Sequence, residues 1–336
     1  MIAAHGIWPW FAAPVVFLAV IGILALMYAM HMPGRSFKGP FEPLSQEELA
    51  IRNQLKLHVA MLAGTIGERN LRHYEALMAA AGHVSKTWSD MGYVIRERSY
   101  TLEGKTATNL EVEVRGVSRP EEIVVLGAHY DSVIGSPGAN DNATGVAALL
   151  SLAHLANQQQ YARTVRFVAF VNEEPPYYRT QKMGSRVYAS ESAQRGEHIT
   201  AMLSLETIGY YSQRQGSQSY PFPLNYFFPR TGNFIGFVGN LESRGLLRQI
   251  VGAFRKCTRF PSEGVAAPDS IPGIGASDQW SFWEEGYHAV MVTDTAPYRY
   301  RQYHTALDTL EIIDFDSMAR VVNGLAGVLR EVAGSI

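Results

Sequence analysis

Histidine and acidic residues recur in this 336-residue chain at the positions where strand-like apolar stretches end. The pattern is densest in GAHYDSVIGSPGANDNATG (residues 127–145), which has a histidine and an aspartate after an apolar run and a further aspartate before a helix-like run. A loop between a strand and a helix needs turn residues, but it needs neither a histidine nor two aspartates. The residues with this placement are His129, Asp131, Asp141, Glu173, Glu174, Glu206 and His304.

Each of these residues, taken singly, also has a structural interpretation. Asp141 could cap the helix that follows it, and Glu173 and Glu174 could form a solvated turn before two prolines. As a group they need another explanation, because carboxylates crowded at one edge of an apolar sheet repel one another unless cations neutralise them. Histidine and carboxylate ligands without a thiolate suit zinc at a catalytic site. Five such ligands suit two metal ions bridged by a carboxylate and a water.

The elements that must position these residues alternate along the chain. Strand-like runs lie at 93–100, 109–116, 121–129, 164–174, 199–210, 233–240 and 288–294. Helix-like runs lie at 45–64, 71–91, 143–157, 183–194, 241–256 and 314–333. This alternation predicts an α/β fold with a mostly parallel or mixed central sheet and helices on both faces. Because ligands gather at the carboxyl ends of such strands, the residues above should meet at one edge.

Long irregular stretches interrupt this pattern. Loops at 175–183, 211–231 and 259–280 are candidates for a substrate pocket, since long loops in a compact domain are usually functional. Their aromatic side chains could form an apolar pocket or could simply cover the core. These aromatic residues are Tyr177, Tyr178, Tyr220, Phe222, Tyr226, Phe227 and Phe228.

The N-terminal part of the chain differs from the rest. Residues 7–30 carry no charge, and a helix of that length could cross a membrane. The basic start, short apolar region and small-residue cleavage site of a cleaved signal are missing. We therefore predict a single-pass membrane anchor, or an uncleaved signal, at 1–30. A linker rich in proline and glycine follows at 31–44, and one domain occupies 45–336.

Composition excludes several classes of function. The net charge is −2 and no basic run appears, so nucleic acid is not an expected partner. The single cysteine, Cys257, excludes an internal disulfide and a multi-cysteine zinc site. The chain also lacks the H-E-x-x-H helix, the G-x-S-x-G elbow and the phosphate-binding loop of other enzyme classes. Oligomeric state is not predicted.

Four motifs in order resemble those of the two-zinc aminopeptidases of metallopeptidase family twenty-eight. They are HYD (129–131), GANDNATG (138–145), EE (173–174) and YHTALDT (303–309), and the resemblance covers about residues 50–335. Glutaminyl cyclases and glutamate carboxypeptidases belong to the same larger group. The resemblance implies a zinc peptidase domain at 45–336 with two Zn²⁺ ions per chain and a peptide substrate.

The same resemblance assigns the metal ligands. Asp141 would bridge the two zinc ions. His129 and Glu206 would hold one ion, and Glu174 and His304 would hold the other.

It also assigns the residues that act on the substrate. Glu173 would be the general base, and Tyr303 would stabilise the developing oxyanion. Asp131 would orient the ring of the neighbouring histidine ligand, and Asp278 and Asp308 are weaker candidates for supporting acceptors.

This sequence departs from the family pattern at three places. Glu206 stands where relatives often have aspartate, Gln279 replaces a histidine in GASDQW (275–280), and two prolines follow Glu174. A glutamate is still an oxygen donor, so the first departure is compatible with a metal site. The role of position 279 is put in doubt.

The leading expectation is a membrane-anchored zinc aminopeptidase that removes N-terminal residues from peptides. Two alternatives remain: an acyltransferase like the glutaminyl cyclases with one zinc, and a non-catalytic binding protein on the same fold. Arg35 and Lys38 after the apolar segment favour a cytoplasmic domain. The resemblance favours an extracytoplasmic one, and we adopt that expectation.

Overall fold

The computed structural model describes residues 8–222 and 224–335, and within them eight strands form one sheet. The strands are β1 (Arg96–Leu102), β2 (Lys105–Val114), β3 (Arg119–His129), β4 (Arg163–Phe170), β5 (His198–Glu206), β6 (Ile235–Gly239), β7 (Ser262–Ala266) and β8 (Ala289–Thr293). The α-helices of the same residues are α1 (Trp8–Met30), α2 (Gln46–Val59), α3 (Tyr74–Asp90), α4 (Gly145–Ala156), α5 (Gly184–Gln194), α6 (Arg244–Cys257), α7 (Gln279–Trp283) and α8 (Phe315–Ala333). π-Helical turns extend α2 at Ala60–Ile66 and precede α4 at Ala139–Thr144.

The sheet is mixed and mostly parallel. Its strand order is β1-β2-β4-β3-β5-β8-β6-β7, and the four neighbours β4, β3, β5 and β8 all run parallel. β1, β2 and β6 are antiparallel to a neighbouring strand, whereas β6 and β7 run parallel. The predicted α/β class with a mixed, mostly parallel sheet is confirmed.

Both faces of the sheet are covered, which explains the continuous apolar run in β3. Val124 and Leu126 belong to the large core cluster that includes residues of α2, α4 and α8. Ile123 and Val125 point to the other face, where a second cluster contains Phe282 of α7 and residues of α5. A strand that is buried on both faces has no polar side, so its sequence shows no alternation.

The stretch 259–280 is more regular than the sequence analysis expected. It contains the edge strand β7 and ends where α7 begins. Gly264 lies at the centre of β7, and a Cβ atom there would come 2.9 Å from Cγ of Met32. A strand of five residues with a central glycine carries too little hydrophobic alternation to be recognised locally.

The prediction of a membrane anchor is wrong. Across residues 8–222 and 224–335, no helix combines the length and the apolar character that crossing a membrane requires. The expectations of membrane contact through residues 7–30 and of an extracytoplasmic domain behind a single span fall with it. The anchor was predicted from an uncharged run considered in isolation, and the extracytoplasmic placement was taken from the family resemblance. Residues 1–7 lie outside the described residues.

The end of α1 and the following segment lie against the α/β domain. The guanidinium of Arg244 on α6 lies 3.5 Å above the ring of Tyr28, and its Nε donates to the carbonyl of the same residue at 2.9 Å. Met32 is buried against β7. Farther along, the backbone N–H of Ser262 donates to Oγ of Ser36 at 2.9 Å. Residues 28–36 therefore run along the edge strand β7 and the neighbouring helix α6.

Candidate metal centre

The predicted ligands lie at the carboxyl ends of four neighbouring parallel strands. His129 is the last residue of β3 and Glu206 the last residue of β5. Glu173 and Glu174 follow β4, and His304 lies in the loop after β8. Parallel strands end on the same side of a sheet, so residues separated by up to 175 positions meet there.

The loop between β3 and α4 holds Asp141 by contacts with distant residues. The carboxylate of Asp308 accepts hydrogen bonds from the backbone N–H of Asn140 at 2.8 Å and of Asp141 at 3.0 Å. The side chain of Asn142 accepts from the N–H of Gly145 at 3.0 Å, where α4 begins. Asn142 therefore makes the helix-start contact that the sequence allowed for Asp141, and the Asp141 carboxylate is free to face the site.

Asp141 presents one oxygen to each of two ligand groups. Its Oδ1 lies 3.3 Å from Nε2 of His129, which is also 3.2 Å from Oε2 of Glu206. Its Oδ2 lies 3.0 Å from Nε2 of His304, which is also 3.3 Å from Oε2 of Glu174. These two triads, which share Asp141, each have ligand atoms close enough together to hold a metal ion.

The residues present fit metal ions, because several of their buried polar atoms have no partner in the protein. Both ring nitrogens of His129, Oδ1 of Asp141 and Oε1 of Glu174 have no hydrogen-bond partner among the described residues. Leaving such atoms unpaired is costly. Imidazole nitrogens and carboxylate oxygens are ligands that zinc accepts. A cation at each triad would satisfy these atoms.

The pKa values of the acidic residues at this site are shifted because the residues are buried close together. Burial, together with repulsion between neighbouring carboxylates, raises the pKa of Glu173 and of Glu174 well above the usual range, and that of Glu206 is also raised. Burial lowers the pKa of His129, but the charges of Glu173 and Glu206 outweigh it, and the pKa of this imidazole is well above its usual value. Such a group of buried acids is stable in its ionised form only beside positive charge.

Glu173 and Tyr303 lie beside the two triads without belonging to either. Oε2 of Glu173 is 3.9 Å from Nε2 of His129, and its side chain is buried. The ring of Tyr303 stacks on that of His304, with 3.8 Å between the ring centroids. Burial and the nearby carboxylates raise the pKa of Tyr303 well above its usual value, so its hydroxyl keeps its proton. Both side chains can therefore exchange or donate protons next to the ligand groups.

Asp131 contacts three parts of the centre. Its Oδ1 lies 3.4 Å from Nδ1 of His129. The same carboxylate accepts hydrogen bonds from the backbone N–H of Glu173 at 3.1 Å and of Glu174 at 3.2 Å. It thus connects the end of β3 with the acidic pair after β4.

The segment GASDQW (275–280) contacts the candidate metal centre through Ser277, and not through Asp278 or Gln279, which the sequence analysis had named. Oγ of Ser277 donates to Oε2 of Glu206 at 2.7 Å. Burial raises the pKa of Asp278 to about 7, and neither of its oxygens has a hydrogen-bond partner among residues 8–222 and 224–335. Gln279 donates to the carbonyl of Ile274 at 3.0 Å. The hydrogen bonds of the structure thus link Glu206 to Ser277, and they link neither Asp278 nor Gln279 to a metal-ligating residue.

Sequence reasoning also missed Arg69, which is fully buried behind the centre. Its guanidinium donates to the backbone carbonyls of Tyr130 at 2.7 Å, Pro137 at 2.5 Å and Gly138 at 2.9 Å. These carbonyls belong to the loop that carries Asp141, and all three precede Asp141 in the chain. A single arginine before a predicted helix carries no local signal of such a role, because its partners are about 60–70 positions away.

An open pocket adjoins the centre and shares Glu206 and Tyr303 with it. Its lining is mainly apolar and comes from β6, β7, β8 and two of the three predicted loops, 211–231 and 259–280, whereas no residue of 175–183 lines it. Phe222 and Tyr226, by contrast, are 81% and 74% exposed. Of the aromatic residues named for these loops, some therefore line the pocket, such as Tyr220 and Phe228, and others lie on the surface. The large apolar side chains that line the pocket include Tyr220, Leu224, Phe228, Val238, Ile274 and Met291.

Two triads that could each hold a metal ion, at the carboxyl ends of strands in an α/β sheet, are typical of a metalloenzyme of the α/β class. Residues 109–329 match the family model described as Peptidase family M28. The chain belongs to this family and is a metallopeptidase. The family predicted from the sequence is confirmed.

Relatives in sequence support the same class. The chain is 34% identical over 285 residues to the uncharacterized protein YfbL of Escherichia coli (strain K12), a match that covers 82% of this chain and 87% of the relative. It is 23% identical over 235 residues to the probable aminopeptidase YDR415C of Saccharomyces cerevisiae, covering 66% of this chain and 56% of the relative. The match thus spans little more than half of that aminopeptidase.

Solved structures share the fold. The zinc aminopeptidase BSAP of Bacillus subtilis superposes with a TM-score of 0.65 at 13% identity, covering 84% of this chain and 95% of that one. A glutaminyl cyclase of Fimbriiglobus ruber superposes with a TM-score of 0.62 at 18% identity, covering 89% and 99%. Because one fold carries both activities, the fold does not distinguish between them.

Proposed function

We propose that this metallopeptidase is an aminopeptidase that uses two zinc ions to hydrolyse the first peptide bond of a peptide. The observation that carries the proposal is the placement of Asp141, whose two oxygens face two different histidines within 3.3 Å. A bridging carboxylate between two complete triads is the arrangement that a two-metal hydrolytic site requires. His129 and Glu206 would hold one ion, and Glu174 and His304 the other.

When bound, the zinc ions would polarise the scissile carbonyl and lower the pKa of a water molecule. Glu173 acts as the general base in this proposal: it takes a proton from the attacking water and delivers it to the leaving amine. Its position beside His129, outside both triads, leaves its carboxylate available for proton transfer. Asp131 holds Glu173 through the backbone, so the base has a defined position.

Tyr303 is the residue proposed to donate a hydrogen bond to the oxyanion that forms on the scissile carbonyl. Its raised pKa keeps the hydroxyl protonated, and its stacking on His304 holds the ring beside the centre. Donors that are already oriented toward a developing charge stabilise it at no cost of reorganisation. The mouth of the apolar pocket, next to Glu206 and Tyr303, would receive the side chain of the N-terminal residue.

A cyclase of N-terminal glutamine with a single zinc is the second candidate, because glutaminyl cyclases are among the structural neighbours. The completeness of both triads favours the peptidase. A one-zinc enzyme has no use for a second histidine and carboxylate pair placed around the same aspartate.

The test combines metal content with one substitution. We expect two zinc ions per chain in protein purified without chelator, together with hydrolysis of aminoacyl p-nitroanilides. Glu173→Gln should retain both ions and lower kcat by about 10²- to 10⁴-fold, the usual contribution of general base catalysis. Glu121→Gln, the same change at an exposed position of β3, is the matched control.

Other outcomes would assign the protein differently. Near-normal hydrolysis by Glu173→Gln would show that Glu173 is not the base. One zinc ion per chain with cyclisation of N-terminal glutamine peptides would favour the cyclase. A protein that binds no zinc after incubation with the metal would be neither enzyme.

A further inference from the structure

The apolar pocket beside the centre has one carboxylate at the end opposite the metal ligands. Glu206, Thr293, Gly236 and Glu263 are in-register partners on four neighbouring strands, β5, β8, β6 and β7. With about 4.8 Å between neighbouring strands, this row places Glu263 about 14 Å from Glu206 across the sheet. All four residues line the pocket.

The alternation of β7 directs the Glu263 side chain into the pocket. Gly264 faces α6, since a Cβ atom there would lie 3.2 Å from Val251 of that helix. Val265, the next residue on the opposite face, belongs to the cluster of Val238 and Met291 that forms the pocket wall. Glu263 is two positions from Val265 and therefore points to the same side.

Gly236 keeps the space between the two ends of the row open. It stands between Thr293 and Glu263 in the register, and it has no side chain to fill the pocket. A long substrate side chain that enters at Glu206 can therefore pass over Gly236 toward Glu263.

The carboxylate of Glu263 is half-buried, and among the described residues it forms no ion pair. The guanidinium of nearby Arg255 is bound to Ser262, through Nε at 3.0 Å, and to the carbonyl of Pro33 at 3.1 Å. Burial raises the pKa of Glu263, although Arg255, a hydrogen bond from Ser36 and the charge of Lys38 act in the opposite direction. A half-buried carboxylate gains stability when a cation reaches it.

We propose that this pocket selects peptides with a basic N-terminal residue, lysine or arginine, and that Glu263 binds the cationic end of that side chain. The inference rests on the proposed aminopeptidase function. The four-carbon stem of lysine would lie along the apolar walls, as long cationic side chains do elsewhere, and its ammonium would reach the far carboxylate.

The first experiment compares kcat/KM for lysyl, arginyl, leucyl and methionyl p-nitroanilides. Wild-type protein should prefer the basic substrates. Glu263→Gln, which keeps the shape and removes the charge, should lower kcat/KM for lysyl and arginyl substrates by about 10- to 100-fold and leave the leucyl value within about threefold. Glu263→Lys should lower kcat/KM for the basic substrates further than Glu263→Gln does, because it places a like charge opposite the substrate cation. Glu121→Gln is the control.

A second measurement separates failure of the pocket proposal from failure of the proposed function. Binding of free lysine and free leucine, which have no bond left to hydrolyse, to the wild-type protein and to Glu263→Gln can be followed by calorimetry. Tighter lysine binding that is lost in Glu263→Gln would support the pocket proposal even for a protein that hydrolyses nothing. Active protein that prefers leucyl substrates, or a Glu263→Gln variant that affects all substrates equally, would overturn the pocket proposal and leave the aminopeptidase intact.

Discussion

The two carboxylate oxygens of Asp141 face different histidines, so this one side chain contacts both triads of the candidate metal centre. The two imidazoles also affect the pKa of its carboxylate. Burial raises the pKa of Asp141, but the neighbouring imidazoles of His129 and His304 lower it below its usual range. The carboxylate is therefore ionised, as the proposed bridge between two metal ions would require.

Asp141→Ala should lose both zinc ions, because neither triad keeps three ligands. Zinc content measured by mass spectrometry should fall from two ions per chain to none, and hydrolysis should fall to background. Asp90→Ala, an exposed aspartate on α3, should retain both metal and activity. A variant of Asp141 that keeps two ions would show that this residue does not bridge them.

At the scale of elements, the loop between β3 and α4 depends on Arg69. Its guanidinium donates to carbonyls at the start and in the middle of that loop and to the carbonyl of Gly67 at 3.1 Å, next to the π-helical turn after α2. The planar fork of arginine suits several carbonyls at once, whereas lysine offers only a compact ammonium.

Arg69→Met should leave these buried carbonyls unpaired and destabilise the protein by about 3 kcal/mol or more. Because the carbonyls belong to the metal-binding loop, zinc affinity should fall as well. Arg69→Lys should recover part of both losses. Urea unfolding and zinc competition with a chelating dye would measure the two effects, and exposed Arg72→Met is the control. Loss of stability with unchanged zinc affinity would contradict the positioning role.

The contact between α2 and α3 includes a pair of histidines. Nδ1 of His58 lies 3.1 Å from Nε2 of His83. Burial and the neighbouring imidazole lower the pKa of His58 to about 4, and burial lowers that of His83. The folded protein thus keeps His58 neutral over a pH range in which the unfolded chain binds a proton.

Stability should therefore fall as pH decreases from 6.5 to 4, and His58 should account for about 3 kcal/mol of that loss. Above pH 6.5 the group is neutral in both states and contributes nothing to the pH dependence. His58→Phe should reduce the slope of unfolding free energy against pH in this window, as measured by urea unfolding. His73→Gln, at an exposed position, should retain the wild-type slope, and an unchanged slope in His58→Phe would refute the assignment.

At the scale of the whole molecule, the metal centre joins the ends of β4, β3, β5 and β8. Ions that bind the folded protein and not the unfolded chain stabilise it by mass action. At a free zinc concentration 100 times the Kd, the gain is about 2.7 kcal/mol for each site. The stabilisation should be larger than for a surface site, because ions would also relieve repulsion among buried carboxylates.

Removal of zinc by a chelator should lower the Tm, and added zinc should restore it. Differential scanning calorimetry at fixed pH would record both changes. Asp141→Ala should show neither change, which separates binding at the centre from binding elsewhere. An equal response in wild-type and variant protein would place the stabilising zinc outside this centre.

The candidate ligands could be predicted from the sequence because several stand at the end of an apolar run and because their motifs resemble those of a known family. The supporting contacts could not. Asn142 reaches the carbonyl of Leu205, and Ser277 reaches Glu206, across 63 and 71 positions of the chain. Nothing near either residue in the sequence indicates its partner. The roles assigned to the ligands themselves stay predictions until the substitutions above are made.

The sequence by itself determined the α/β class, the family and the candidate metal ligands, because strand ends, turn residues and motif spacing are local properties. The prediction of a membrane anchor at the N-terminus was wrong, since the absence of charge is also a local property and does not show what the segment contacts. Only the tertiary structure decided that β4, β3, β5 and β8 are neighbours and that Glu206 and Glu263 lie in one row. Strand order and register follow from packing between distant parts of the chain, and they set which side chains share a pocket.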